Sequence, residues 1–278
     1  MAEAEATVGR LMLYSYWRSS CSHRARIALN LKGVDYEYKA VNLLKGEQSD
    51  PEFVKLNPMK FVPALVDGSS VIGDSYAITL ASIEILSLLS QYCLSLESLV
   101  PLCYVVFGGQ VPRASSSTSR PSKESFESPG VPHGNVAVMQ HTGCYSTGRF
   151  STGHNQTQIA SIVASGIQPL HNLTVLRFID QKVGAGESVL WTQQQIERGF
   201  TAIENLIQLK GCAGKYATGD EVQLADVFLA PQIYAAIERT KIDMSNYPTL
   251  ARLHSEYMSH PAFEAALPGK QPDAPSSS

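Results

Sequence analysis

Cysteine is scarce in this chain of 278 residues, with five scattered at Cys21, Cys93, Cys103, Cys144 and Cys212. No two stand as Cys-x-x-Cys and none belongs to a Cys/His cluster, which argues against a dithiol redox motif, a disulfide framework and a zinc site. Neither sign of charge is in excess: 22 Lys and Arg face 25 Asp and Glu, a formal charge of -3. Nucleic acid or an anionic membrane as main partner requires a basic surface, so both are excluded as expectations. Residues 1–10 carry two glutamates and no apolar run, unlike a secretory leader. The longest apolar stretch, residues 81–109, holds Glu84 and Glu97 and is broken by Pro101, a poor membrane span. A reducing compartment, the cytoplasm by default, is the expectation.

What is present is a chain with three textures. The 44% hydrophobic content is enough for one large core or two modest ones. Residues 11–16 and 36–41 read as strands, with a helix over 22–32 between them whose apolar face is Ala25, Ile27, Ala28 and Leu31. A short helix over 51–56 has Pro51 in its first turn. A hairpin follows about Asp67-Gly68, and Asp74 or Ser75 caps a helix from Tyr76. The order strand, helix, strand, helix, strand, strand, helix predicts a mixed sheet with helices on both faces. From residue 159 to 267 the pattern is helical throughout, bent near Gly166 and Pro169, with Phe200, Ile203, Leu206 and Ile207 as one buried stripe. Between these regions, residues 113–132 are dominated by Ser and Pro, and 135–158 lack periodicity. The Pro- and Ser-rich end after Pro268 reads as disordered.

Chemistry concentrates at two places. Ser19-Ser20-Cys21-Ser22 falls at the start of the first helix, where free N–H groups and the positive end of the dipole stabilise an anion. A hydroxyl there is either an ordinary cap or a donor to a bound thiolate. Cys21 is either a reactive thiol of lowered pKa or a packing residue. The second place is Phe61-Val62-Pro63-Ala64 with Gly73-Asp74-Ser75: a proline just before a strand marks a specific turn, with a cis bond as one option. That turn frees the preceding backbone to pair with a peptide ligand, while Asp74 and Ser75 suit an ammonium and a carboxylate. Asp226 is assigned no chemistry: it is a carboxylate on an apolar helix start that backbone donors must satisfy. Gln223, three residues earlier, weakens the local capping box.

Ser19-Ser20-Cys21-Ser22, Asn57-Pro58-Met59-Lys60 through Val62-Pro63, Gly166-Ile167-Gln168-Pro169-Leu170, Gly219-Asp220-Glu221-Val222 through Ala225-Asp226, and Gln271-Pro272-Asp273 resemble the signature segments of zeta-class glutathione transferases. The resemblance implies an α/β thioredoxin-like domain over residues 9–80 and an all-α domain over 159–267, the glutathione transferase fold. Residues 81–158 form an atypical, largely disordered insert unlike the family's sequence, and 268–278 a disordered tail. The class forms homodimers and binds glutathione between its domains. Carried over, Ser19 stabilises the glutathione thiolate, with Ser20 and Cys21 completing the catalytic wall and Ser22, His23 and Arg24 continuing it. Gln48, the Val62 backbone, Asp74 and Ser75 hold the tripeptide, and Gln168, Asn172, Leu173 and Thr174 close the site. Arg24 and Arg239 are candidates for substrate carboxylates, since a guanidinium pairs bidentately with them. No metal is implied. The activity implied is glutathione-dependent isomerisation of maleylacetoacetate to fumarylacetoacetate, in tyrosine and phenylalanine catabolism, with dehalogenation of small α-halo acids. Two alternatives stay open: a Cys21-based glutathione oxidoreductase, and a glutathione-binding isoform made inert by the replaced segment.

Overall fold

The computed structural model describes residues 11–89, 148–211 and 214–275. The Ser/Pro-rich stretch of 113–132 and Cys93, Cys103, Cys144 and Cys212 lie outside these residues.

Strands β1 (Met12–Ser15), β2 (Glu37–Ala40), β3 (Ala64–Asp67) and β4 (Ser70–Ile72) form one sheet in the order β2-β1-β3-β4. β1 runs parallel to β2, with Met12 opposite Glu37, and antiparallel to β3, with Leu13 opposite Leu65. The parallel pair needs a crossover, and helix α1 (Ser20–Leu31) supplies it. α1 starts two residues before the expected Ser22. It is wedged between two cores, so nearly all of it is buried. Ala25 and Leu29 pack with Leu13 and Leu65 of the sheet and with Ile78 of the helix that follows β4, whereas Ile27 and Ala28 join the helical domain. Helix α2 (Pro51–Leu56) is capped by Asp50, and helix α3 (Ser75–Leu89) follows β4.

α3 corrects the expectation for residues 81–89. That stretch continues the helix, and Ala81 and Ser82 are buried. A second correction concerns α4 (Gly148–Ser161), which covers residues read as aperiodic. Its composition is poor in helix formers, but Asn155 and Ile159 share one buried face against helix α7 (Leu224–Ala235), and packing overrides propensity. The helical pattern that starts at residue 159 is broken near Gly166 and Pro169, where a bend was expected. A π-type turn (Ile162–Ile167) and a 3-10 turn (Gln168–His171) lead into α5 (Leu173–Lys182).

The helical core is built on α6 (Glu187–Lys210), α7 and α8 (Pro248–Met258), with Phe200, Ile203, Phe228, Ile233, Leu250 and Leu253 fully buried. Gly199 on α6 has no room for a side chain, since a Cβ there would lie 2.3 Å from Ile167 Cδ1. Asp226 is buried and accepts from the N–H groups of Ala217 (2.9 Å) and Gln223 (2.8 Å) and the Tyr257 hydroxyl (2.7 Å). The cap expected to be weak at Gln223 is therefore firmly made from the Asp226 side.

The tail is a further correction. After α9 (Pro261–Ala265) the chain turns at Pro268–Lys270, and the Gln271 amide donates to Ala265 and Leu267 carbonyls at 3.0 and 2.8 Å. Asp273 then accepts from the Trp17 N–H at 3.0 Å and the Tyr38 hydroxyl at 2.6 Å. Polar docking orders a segment whose composition offers little to bury.

Candidate active site

The β1–α1 loop delivers Ser19 to a cleft of about 590 Å³ at the domain junction. Ser19 has the extended backbone of an N-cap, and its Oγ accepts the Ser22 N–H at 3.1 Å. That bond uses a lone pair of the oxygen and leaves the hydroxyl hydrogen to be donated into the cleft. The start of α1 adds its dipole at the same point.

Opposite stands the wall made by two turns. The Val62-Pro63 peptide is cis. Asn57 is buried beneath and ties the turns together, its amide donating to the Phe61 carbonyl (2.8 Å) and the Gly73 carbonyl (3.0 Å) while its oxygen accepts the Met59 N–H. A side chain on Gly73 would meet the Asn57 amide at 2.9 Å, so only glycine allows this approach. Asp74 caps α3 through the Ala77 N–H at 2.9 Å. Ser75 beside it accepts from the Arg24 guanidinium at 2.9 Å. Gln48 lines the same wall, and its buried Oε1 has no partner among the described residues. An acceptor so placed fits an N–H of a bound peptide.

The helical domain closes the third side with Gln168, Asn172, Leu173, Thr174, Arg177 and Arg239. Trp191 on α6 donates to the Leu170 carbonyl at 2.7 Å and fixes this turn. Arg239 stands at the cleft mouth and donates to the Arg18 carbonyl. Desolvation, then the like charge of Arg18, lowers its pKa to about 10, so it stays cationic at neutral pH. Arg18, Arg177 and Arg239 together make the cleft attractive to anions.

Residues 9–80 match the model of the glutathione S-transferase N-terminal domain. The chain is 46% identical to glutathione S-transferase Z1 of Arabidopsis thaliana over 96% of each sequence. It is 39% identical to maleylacetoacetate isomerase of Rattus norvegicus, again over 96% of each. The chain belongs to the zeta-class glutathione transferases. A solved structure of maleylacetoacetate isomerase from Anaeromyxobacter dehalogenans, with dicarboxyethyl glutathione and citrate bound in the active site, is 31% identical. Its TM-score is 0.66, covering 96% of this chain and 94% of that one.

Most residues expected at this zeta-class site do converge on the cleft: Ser19, Ser20 and Cys21 from α1, Gln48, Val62, Asp74 and Ser75 from the turns, and the four from the helical domain with Arg239. Two do not. Ser22 is fully buried, accepting from the Tyr16 N–H at 3.4 Å, and His23 stacks edge-on against Tyr234, 5.8 Å between ring centroids. Each residue turns a helix by about 100°, so the two positions after Cys21 face the protein interior and Arg24 returns to the cleft. Arg24 reaches the cleft but is 3% exposed, engaged by Ser75 and lying 3.9 Å over the Phe228 ring. It supports Ser75 from below while still lining the cleft. Burial pushes the Cys21 thiol up, with Arg24 and the Ser75 hydrogen bond opposing. That direction counts against a reactive thiolate.

Sequence reasoning passed over Arg18 and Arg177, and gave Asn57 a place in a signature segment but no role. Arg18 directly precedes the Ser19 motif, which was a usable signal. Arg177 sits one turn beyond the Asn172 cap of α5 and shows itself only once that helix is placed.

Proposed function

We propose that this chain isomerises the cis double bond of maleylacetoacetate to give fumarylacetoacetate, using glutathione, and that it also accepts small α-halo acids. Residues 9–80 supply the tripeptide site and the helical region from 159 to 267 the substrate side. The observation that carries the reading is the Ser19 hydroxyl at the head of α1, its oxygen capping the helix and its hydrogen left to donate into a cleft rimmed by three arginines.

When bound, glutathione supplies a thiolate that adds to the double bond, permits rotation about the resulting single bond and leaves again. Ser19 donates its hydroxyl hydrogen to the sulfur and, with the α1 dipole, keeps it ionised near neutral pH. Gln48 Oε1 and the Val62 backbone hold the peptide groups. Asp74 pairs with the α-ammonium, and the Ser75 hydroxyl, whose oxygen takes the Arg24 N–H, donates to the α-carboxylate. Arg239, with Arg18 and Arg177 alongside, receives the carboxylates of the second substrate and sets the double bond beside the sulfur. A homodimer and a cytoplasmic location rest on class membership. Among the described residues no single helix is long and apolar enough to cross a membrane, and no group of three or more His, Cys, Asp or Glu could hold a metal.

Turnover of maleylacetone by the purified chain tests the reading. Conversion to the trans isomer is expected only with glutathione, and in Ser19→Ala the pKa of the bound thiol should rise. Isomerisation without glutathione, or an unmoved thiol pKa, would overturn it.

A further inference from the structure

We infer that Asp273, at the far end of the chain, and the buried Arg26 act as a clamp on the β1–α1 loop that positions Ser19. The inference rests on the thiolate-holding role of Ser19 proposed above.

The clamp closes on one peptide group, that joining Tyr16 to Trp17. Its N–H donates to the Asp273 carboxylate at 3.0 Å. Its carbonyl oxygen accepts the Ser19 N–H at 3.0 Å and Arg26 Nη1 at 3.5 Å. The turn that carries Ser19 is therefore hung on a carbonyl gripped from both sides. Arg26 is fully buried and spends its other donors on the Ser15 hydroxyl (3.1 Å), the Trp17 carbonyl (3.2 Å) and the Ala266 carbonyl (3.1 Å). The last of these reaches the same tail that carries Asp273. On the other side Tyr38 donates to Asp273 at 2.6 Å and anchors the carboxylate to β2. A loop held only by its own turn would wander, and a misplacement of about 1 Å at a reacting group can cost about 100-fold in rate. Here a carboxylate 256 positions away from Trp17 in sequence removes that freedom. Asp273 touches neither thiol nor substrate; it is a positioning residue.

The test uses the full chain and four variants, Asp273→Asn, Asp273→Glu, Tyr38→Phe and Ser19→Ala, each checked by thermal melting and by ultraviolet titration of the bound glutathione thiolate. Ser19→Ala should raise the thiol pKa. Asp273→Asn should raise it less and lower kcat/KM at pH 7 by about tenfold. The loss should vanish above the new thiol pKa, and KM for glutathione should change less than twofold. Asp273→Glu should recover most of the rate. If Asp273→Asn fails to fold, Tyr38→Phe, which removes one partner of the carboxylate and leaves the Trp17 bond, should give a smaller shift of the same sign. A pKa that moves in Ser19→Ala but in neither clamp variant overturns the clamp and leaves the Ser19 reading standing. An equal rate loss at every pH reduces Asp273 to a structural tether and overturns it too. No shift in Ser19→Ala sinks the Ser19 reading and the clamp with it.

Discussion

The Ser19 oxygen has two lone pairs and one hydrogen, and the Ser22 N–H takes up one of the lone pairs. The cap function and the donor function therefore coexist, which the sequence presented as alternatives. Cys21, two residues on, is different: burial raises its thiol pKa, so it is poorly ionised at neutral pH. Cys21→Ala should keep isomerase activity within a few-fold of the parent, measured as maleylacetone turnover, whereas a Cys21-based oxidoreductase would lose everything. Arg239 remains cationic, with a pKa of about 10. Charge-assisted bonds to a carboxylate contribute about 1.5–3 kcal/mol, so Arg239→Gln should raise KM for the dicarboxylate roughly 10- to 100-fold and leave glutathione affinity nearly unchanged. Both would be read in steady-state kinetics with each substrate varied in turn.

At the scale of elements, the strand and helix order of the first domain was legible because period-2 and period-3.6 patterns are local. The helix Gly148–Ser161 was not, since its stability comes from the face laid on α7 and not from its own composition. The close packing of α6 on the Ile162–Ile167 turn places Gln168 at the cleft, and Gly199 is what permits it. Gly199→Ala drives a methyl group into the buried Ile167, whose β-branched side chain has little freedom to move. A destabilisation of about 1–3 kcal/mol is expected, seen as a lower Tm or urea midpoint, with a parallel loss of affinity for glutathione.

For the whole molecule, the cleft is walled by both domains, so a ligand there couples them. Glutathione at about 100 times its Kd should add about 2.7 kcal/mol and raise Tm by roughly 5–10 °C in a thermal melt. Acid acts in the opposite direction. Desolvation first, then the charges of Arg26 and Arg239, holds His23 well below its ordinary 6.5, and burial lowers His171 and His254 as well. The folded chain takes up fewer protons than the unfolded chain below pH 6.5, so stability falls as pH drops through that value. Asp226, raised by burial from its ordinary 3.8, has the opposite sign over the range that opens at 3.8 and runs upward to its raised folded value. Melts at pH 7.5 and 5.5 should show the decrease, and His23→Phe should make the profile shallower; an unchanged Tm between the two pH values would contradict this.

The sheet-then-helices order, the two helix starts that line the site and the family were readable from the chain alone, because each is written in neighbouring residues. Which side of α1 meets the cleft follows from packing between distant segments, which turns Ser22 and His23 inward and buries Arg24 beneath Ser75. It also docked Gln271 and Asp273 onto the fold, where composition alone suggested a loose end. The physical reason is common to these cases. A contact between separate segments, 51 positions apart for Arg24 and Ser75 and 256 for Trp17 and Asp273, leaves no periodicity in either, and its partner becomes visible only when the chain has folded.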